Sequence, residues 1–210
     1  TGIVGRECIK LYPVSDIDIR REVKSVKIVA PSGESHRISK DEPQAYIIDR
    51  VAYINSIAEK AHNSGAEYRL GEKITGTKQS KQGVEIYTSS PSGKTKYGAR
   101  LIIIASGFGS PLVTMMGLGE TKNTEYMMGS QAEVEVEPMD DTEVYLGHSI
   151  APGSFGWLVP FSNSRALVGM VSSHKLDKHL ERFIDSLTSS GKITSTLKEK
   201  NICYFIIIKT

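Results

Sequence analysis

The stretch Pro152-Gly153-Ser154-Phe155-Gly156-Trp157-Leu158-Val159-Pro160-Phe161 decides the fold. Side chains alternate across a β-strand, so this run sets Phe155, Trp157, Val159 and Phe161 on one face and Gly156 on the other. Ser162-Asn163-Ser164 turns the chain, and residues 166–171 return as a strand that is apolar on both faces. A broad aromatic and aliphatic stripe beside a glycine gap suits an ordinary sheet core, and it also suits the wall of a long apolar cavity.

The same short-strand pattern extends in both directions. Residues 131–138 alternate strictly, with Ala132, Val134 and Val136 facing one way and Glu133, Glu135 and Glu137 the other, which predicts a half-exposed antiparallel strand. Residues 144–147 continue the sheet, and residues 177–187 have helical spacing, with Leu180, Phe183, Ile184 and Leu187 on the buried side. Upstream, residues 8–12, 23–30, 35–38, 66–70, 73–79 and 84–89 read as strands, with turns at Pro31-Ser32-Gly33-Glu34 and Pro91-Ser92-Gly93-Lys94. Asp49 is placed as the N-cap of a helix that packs Val51, Ile54, Ile57, Ala58 and Ala61 on a sheet and stops at Gly65. Residues 101–105, Leu-Ile-Ile-Ile-Ala, predict a strand covered on both faces, followed by the turn Ser106-Gly107-Phe108-Gly109-Ser110 and a short helix through Met116. The plan is α+β: a mainly antiparallel sheet with packed helices and one parallel element at 101–105.

Composition excludes several functions. The 210 residues carry a net charge of +2, with 39% hydrophobic and 24% charged side chains, as in an ordinary soluble domain. Lys and Arg are interleaved with Asp and Glu, leaving no basic stripe for phosphate contacts, so nucleic acid is not an expected partner. No apolar run approaches the roughly 18 residues that span a bilayer. Cys8 and Cys203 form no metal-type pair and fit a reducing, cytoplasmic setting. The five histidines, His36, His62, His148, His174 and His179, are scattered without ligand spacing, so no metal is expected. No nucleophile elbow is present, and no catalytic side chain can be named.

Turn 106–110 is the remaining chemical signal. An apolar strand running into Gly-x-Gly and a helix presents backbone N–H groups to an anionic ligand. Leu112 stands where the third glycine of G-x-G-x-x-G belongs, so a plain strand-to-helix turn explains this stretch equally well.

Four segments, in order, resemble the FAD-dependent geranylgeranyl reductase family, whose architecture is that of the p-hydroxybenzoate hydroxylase group. Thr1-Gly2-Ile3-Val4-Gly5 is similar to the family's T-G-I segment. Tyr46-Ile47-Ile48-Asp49-Arg50-Val51-Ala52-Tyr53, running on to Gly65-Ala66-Glu67, resembles its Y-x-I-D-R helix. Residues 101–110 stand where it has a strand ending in A-D-G-x-x-S, and residues 153–160 with Val168-Gly169 resemble its P-G-G-Y-G-W-x-F-P…V-G pattern. Ser106 replaces the acidic residue of the third segment, and Phe155 the tyrosine of the fourth. The resemblance places the G-x-G-x-x-G fingerprint before residue 1 and a G-D motif after residue 210, and so implies an internal fragment.

The resemblance implies FAD, approached by Arg50, Ser106 and Gly107, and an apolar substrate channel lined by Phe155, Trp157 and Pro160. It implies reduction of double bonds in a geranylgeranyl or other isoprenoid chain, with NADPH or ferredoxin as electron donor and peripheral membrane contact. Residues 43–122 are expected to form the cofactor-facing part, and 8–42 with 123–210 the substrate-facing sheet. Quinone-linked electron-transfer dehydrogenases and flavin monooxygenases share the same segments. A non-catalytic module that binds an apolar ligand is the alternative from another class.

Overall fold

The computed structural model describes residues 2–107, 110–118, 126–173, 176–196 and 201–206. The chain divides into two compact units, one formed by Thr1–Glu59 with Glu125–Ile208 and the other by Lys60–Thr124.

The first unit opens with β1 (Ile3–Gly5), α1 (Arg6–Leu11) and a 3-10 turn at Asp16–Asp18. It continues through β2 (Ile19–Val23), β3 (Ser25–Val29), β4 (Ser35–Ser39), β5 (Ala45–Ile48) and α2 (Arg50–Asn63), whose last residues belong to the second unit. The second unit holds β6 (Lys73–Ser80), β7 (Gly83–Ser90), β8 (Gly93–Ala99) and α3 (Leu112–Met115), its strands forming an antiparallel meander in sequence order. The chain then re-enters the first unit as β9 (Tyr126–Val136), β10 (Thr142–Leu146), β11 (Phe155–Pro160), β12 (Arg165–Ser172), α4 (Leu176–Ser189), β13 (Ile193–Thr196) and β14 (Asn201–Ile206).

The dominant element is an eight-stranded sheet ordered β13-β9-β12-β11-β10-β3-β4, with β14 also pairing β9; a small sheet β1-β5-β2 accompanies it. All its pairings are antiparallel except β3 with β10. The α+β plan therefore holds, and the parallel element is β3–β10 rather than residues 101–105. Alternation in β9 sends Ala132, Val134 and Val136 into the core with Leu158, Ala166, Val168 and Met170. Leu180, Phe183, Ile184 and Leu187 of α4 close this face, as their spacing predicts. On the other face Trp157 and Val159 form a smaller core with Ile47 of the small sheet.

Several local expectations give way to tertiary structure. Residues 8–12 lie in or just after α1 rather than a strand; Arg6, Glu7, Lys10 and Leu11 are good helix formers, and Lys10 Nζ pairs with Glu7 at 2.8 Å. The 23–30 run breaks at Lys24, because Val23 ends a strand of the small sheet and Ser25 begins one of the large sheet. Residues 66–70 form no strand. Residues 101–105 join no ladder, and Leu101 and Ile103 are 75% and 82% exposed. The face of α2 expected to be packed is open, with Val51, Ile54 and Ile57 exposed. β8, β13 and β14 carry no clear sequence signal. Among the described residues no helix is long and apolar enough to cross a membrane.

Candidate functional site

A cleft of about 350 Å³ opens in the first unit, bounded by the start of α2, the end of β5 and one face of β9 and β12. This volume lies in the range of small-ligand sites. Asp49 caps α2, its Oδ1 accepting from the backbone N–H groups of Val51 and Ala52, each at 3.1 Å. The Ala52 N–H and the Arg20 guanidinium hold the Asp49 carboxyl below its ordinary value against the opposing effect of burial. The Arg20–Asp49 ion pair thus ties β2 to the first turn of α2. Arg50, the next residue, is exposed on the cleft wall and has no ion-pair partner among the described residues.

The opposite wall comes from the sheet. Gln131 and Glu133 on β9 share a face with Arg165 and Leu167 on β12, and Glu133 pairs with Arg165. Phe161 lies between two guanidinium groups, 5.8 Å from Arg20 and 5.6 Å from Arg165 at its ring centroid, close enough for cation–π attraction. Arg165 Nε is buried without a hydrogen-bond partner. Three arginines face two carboxylates across the cleft, which leaves one net positive charge, at Arg50.

The Phe155–Trp157 stripe stands on the same sheet face, outside the cleft lining. Phe155 is 42% exposed and its ring is tilted against Trp157 at 6.1 Å. The two glycine gaps beside it are filled. A Cβ on Gly169 would lie 2.5 Å from the Trp157 indole, and a Cβ on Gly156 would lie 2.9 Å from the Phe183 ring. The glycines therefore let aromatic rings pack flat on the strands. The indole N–H of Trp157 is buried without a partner. Pro160 corrects the expected channel lining: alternation turns it with Leu158 toward α4, where it is fully buried, so it backs the strand and does not share the wall of Phe155 and Trp157.

Ser106 and Gly107 belong to the second unit, and both are exposed. Gly107 has φ +74° with nothing within 4 Å of the place a Cβ would take, a backbone open to close approach. Phe108 and Gly109 of the same turn lie outside the described residues. Taken separately, Arg50 in the first unit has a guanidinium without an ion-pair partner among the described residues, and Gly107 in the second has an open positive-φ backbone; each by itself suits an anionic group. The sequence gives no signal for Arg20 and Arg165 and shows Phe161 and Glu133 only as members of a strand face; the pairing of β9, β12 and the small sheet brings the four together.

Comparison with known proteins defines the class first. The fold is that of flavin-dependent oxidoreductases: a geranylgeranyl bacteriochlorophyll reductase-like protein of Thermoplasma acidophilum superposes with a TM-score of 0.86 at 22% identity, covering 99% of this chain and 56% of that one. The halogenase PltM, solved with FAD, superposes at 0.65 and 16% identity over 96% of this chain and 47% of its own. No protein-family profile matches the chain. In sequence, a digeranylgeranylglycerophospholipid reductase of Methanosphaera stadtmanae is 26% identical over 171 residues, 79% of this chain and 42% of the relative. In sequence the chain is thus similar to curated digeranylgeranylglycerophospholipid reductases, and it spans about half the length of the curated relatives it matches.

Proposed function

We propose that the protein containing this chain is an FAD-dependent oxidoreductase that reduces double bonds in the isoprenoid chains of a lipid. The observation that carries this reading is the division of one sheet face into a cationic cleft at Arg50 and an aromatic stripe at Phe155 and Trp157. Residues 43–122 serve the cofactor, and residues 8–42 with 123–210 serve the substrate. In the first unit Arg50 faces the flavin. A bound reduced flavin would supply hydride chemistry toward an alkene, and the residues named here would hold it in place. Arg50 offsets anionic charge, and the Asp49 cap with its Arg20 partner fixes where the Arg50 backbone stands. Phe155 and Trp157 hold the apolar chain and exclude water. The electron donor is NADPH or ferredoxin, and the setting is the cytoplasm at a membrane surface. Leu11, Tyr12 and Ile17, 72%, 64% and 89% exposed, support peripheral contact there.

The test is the protein from the full open reading frame containing this chain. It is expected to purify with a flavin absorption spectrum, and Arg50→Ala to weaken flavin affinity about tenfold, as loss of one charge-assisted hydrogen bond does. Absence of any flavin affinity in that protein would refute the reading. Halogenases with the same fold favour a second chemistry, oxygen-dependent modification, which oxygen consumption on substrate addition would reveal.

A further inference from the structure

We propose that a half-open apolar strip on this sheet face, formed by Phe155, Leu146, Val144, Ile28, Val26 and Ile38, seats the far end of an isoprenoid chain and sets the chain length accepted. This rests on the reductase reading above and assigns residues to it beyond the aromatic stripe.

The strip follows from strand register. Phe155 is opposite Leu146 and Trp157 opposite Val144 across β11–β10. Val144 is opposite Ile28 across β10–β3, and Val26 is opposite Ile38 across β3–β4. Paired residues point the same way, so these side chains share the face of Trp157. The neighbouring positions confirm it: Tyr145 and its partner Val29 pack in the core beneath α4, on the other face. Cover is uneven along this row. Trp157 and Val159 are buried against Ile47, whereas Phe155, Leu146 and Ile38 are 42%, 41% and 44% exposed and Val26, Ile28 and Val144 are half-buried. The strip begins where the small sheet stops covering the large one.

Chemistry and size select the occupant. On β10 and β3 the positions facing this way are Thr142, Val144, Leu146, Val26 and Ile28, none of them charged, while Glu143 and Lys27 turn to the other face. Six side chains at such exposure present roughly 300 Å², well below the ~800 Å² that each partner gives to a stable protein interface. A second copy of the chain is therefore too large a claim for this surface, and a slender, methyl-branched hydrocarbon chain with no hydrogen-bonding demand fits it. From β11 to β4 is three strand spacings, about 14 Å. At C–C bonds of about 1.5 Å in zigzag, that is the reach of roughly three isoprene units.

Trp157 is the only tryptophan and stands at the head of the strip, so its emission reports occupancy. The chain is titrated with geraniol, farnesol and geranylgeraniol. Affinity is expected to rise about tenfold with each added isoprene unit, as burial of a few further apolar carbons on one side implies. In Ile28→Thr the gain beyond farnesol disappears; Ile38→Lys, at a 44% exposed position on the edge strand β4, gives the same loss. Retention of the gain in Ile38→Lys would overturn the proposal, as would a Trp157 response equal for all three alcohols. No response to any of them would instead remove the ligand wall at Trp157, and the reductase reading of this face with it.

Discussion

The two faces of the large sheet differ in how they are closed. Beneath α4, Leu158, Val168, Met170 and Leu180 are sealed from solvent, and the buried Glu143 carboxylate is paired. There Lys192 Nζ donates to Glu143 Oε1 at 2.7 Å and to the Tyr145 hydroxyl oxygen at 2.9 Å, while the Tyr145 hydroxyl donates to Glu143. Burial, the hydrogen bond to Glu143 and its charge push the Tyr145 phenol far above its ordinary value. The opposite face is capped only in part by the small sheet. Beside it stands the Arg50 guanidinium of α2, and the face itself keeps a buried indole N–H, both without a partner among the described residues, and a half-open row of aliphatic side chains. One face is sealed, and the other leaves apolar and cationic groups partly open to solvent.

The contrast sets the scale of mutational effects. Leu180→Ala on the sealed face is expected to cost about 3 kcal/mol in urea unfolding, the sum of lost burial and a cavity. Phe155→Ala on the open face should cost about 1 kcal/mol or less, because nearly half its surface is already in water. Equal losses would erase the distinction. Gly169→Ala is next, at about 2 kcal/mol, since the new methyl group meets both the Trp157 indole and the Ser130 carbonyl; a shift in Trp157 emission should accompany it. Lys192→Met, which leaves the buried Glu143 short of its closest cation, should cost about 2 kcal/mol.

The smallest effect is in acid, at the tie between the β3–β4 hairpin and the loop before β10. Burial raises the Asp141 carboxyl, but hydrogen bonds from Ser25 and Arg37 outweigh it and leave the group below its ordinary value. A carboxyl depressed in the folded state contributes stability above its unfolded pKa of about 3.9 and loses it as pH falls toward the folded value. Wild type should therefore lose stability more steeply below about pH 4 than Asp141→Asn. Parallel acid curves would mean that this tie contributes nothing.

Much of the fold could be read from the chain because strand alternation fixes facing. Ala132, Val134 and Val136, the Phe155–Phe161 stripe and the apolar side of α4 all lie where their spacing puts them. Spacing does not say what covers an apolar face. Residues 101–105 and the α2 face read as core by composition, yet Leu101, Ile103, Val51 and Ile54 are exposed, because burial needs a partner element and not only apolar side chains. Of the residues singled out in the sequence as binding residues, only Arg50 lines the cleft, and Phe155 and Trp157 stand beside it on the same sheet face. Arg20, Glu133 and Arg165 come from strands far apart in sequence and meet through sheet register, which no local pattern encodes.

The most direct test is to reduce the flavin of the full-length protein without oxygen and add a geranylgeranyl lipid. The account predicts that the lipid alone reoxidises the flavin and that the product gains H₂ by mass spectrometry. Reoxidation only by oxygen, with a product that gains an oxygen atom, would contradict it.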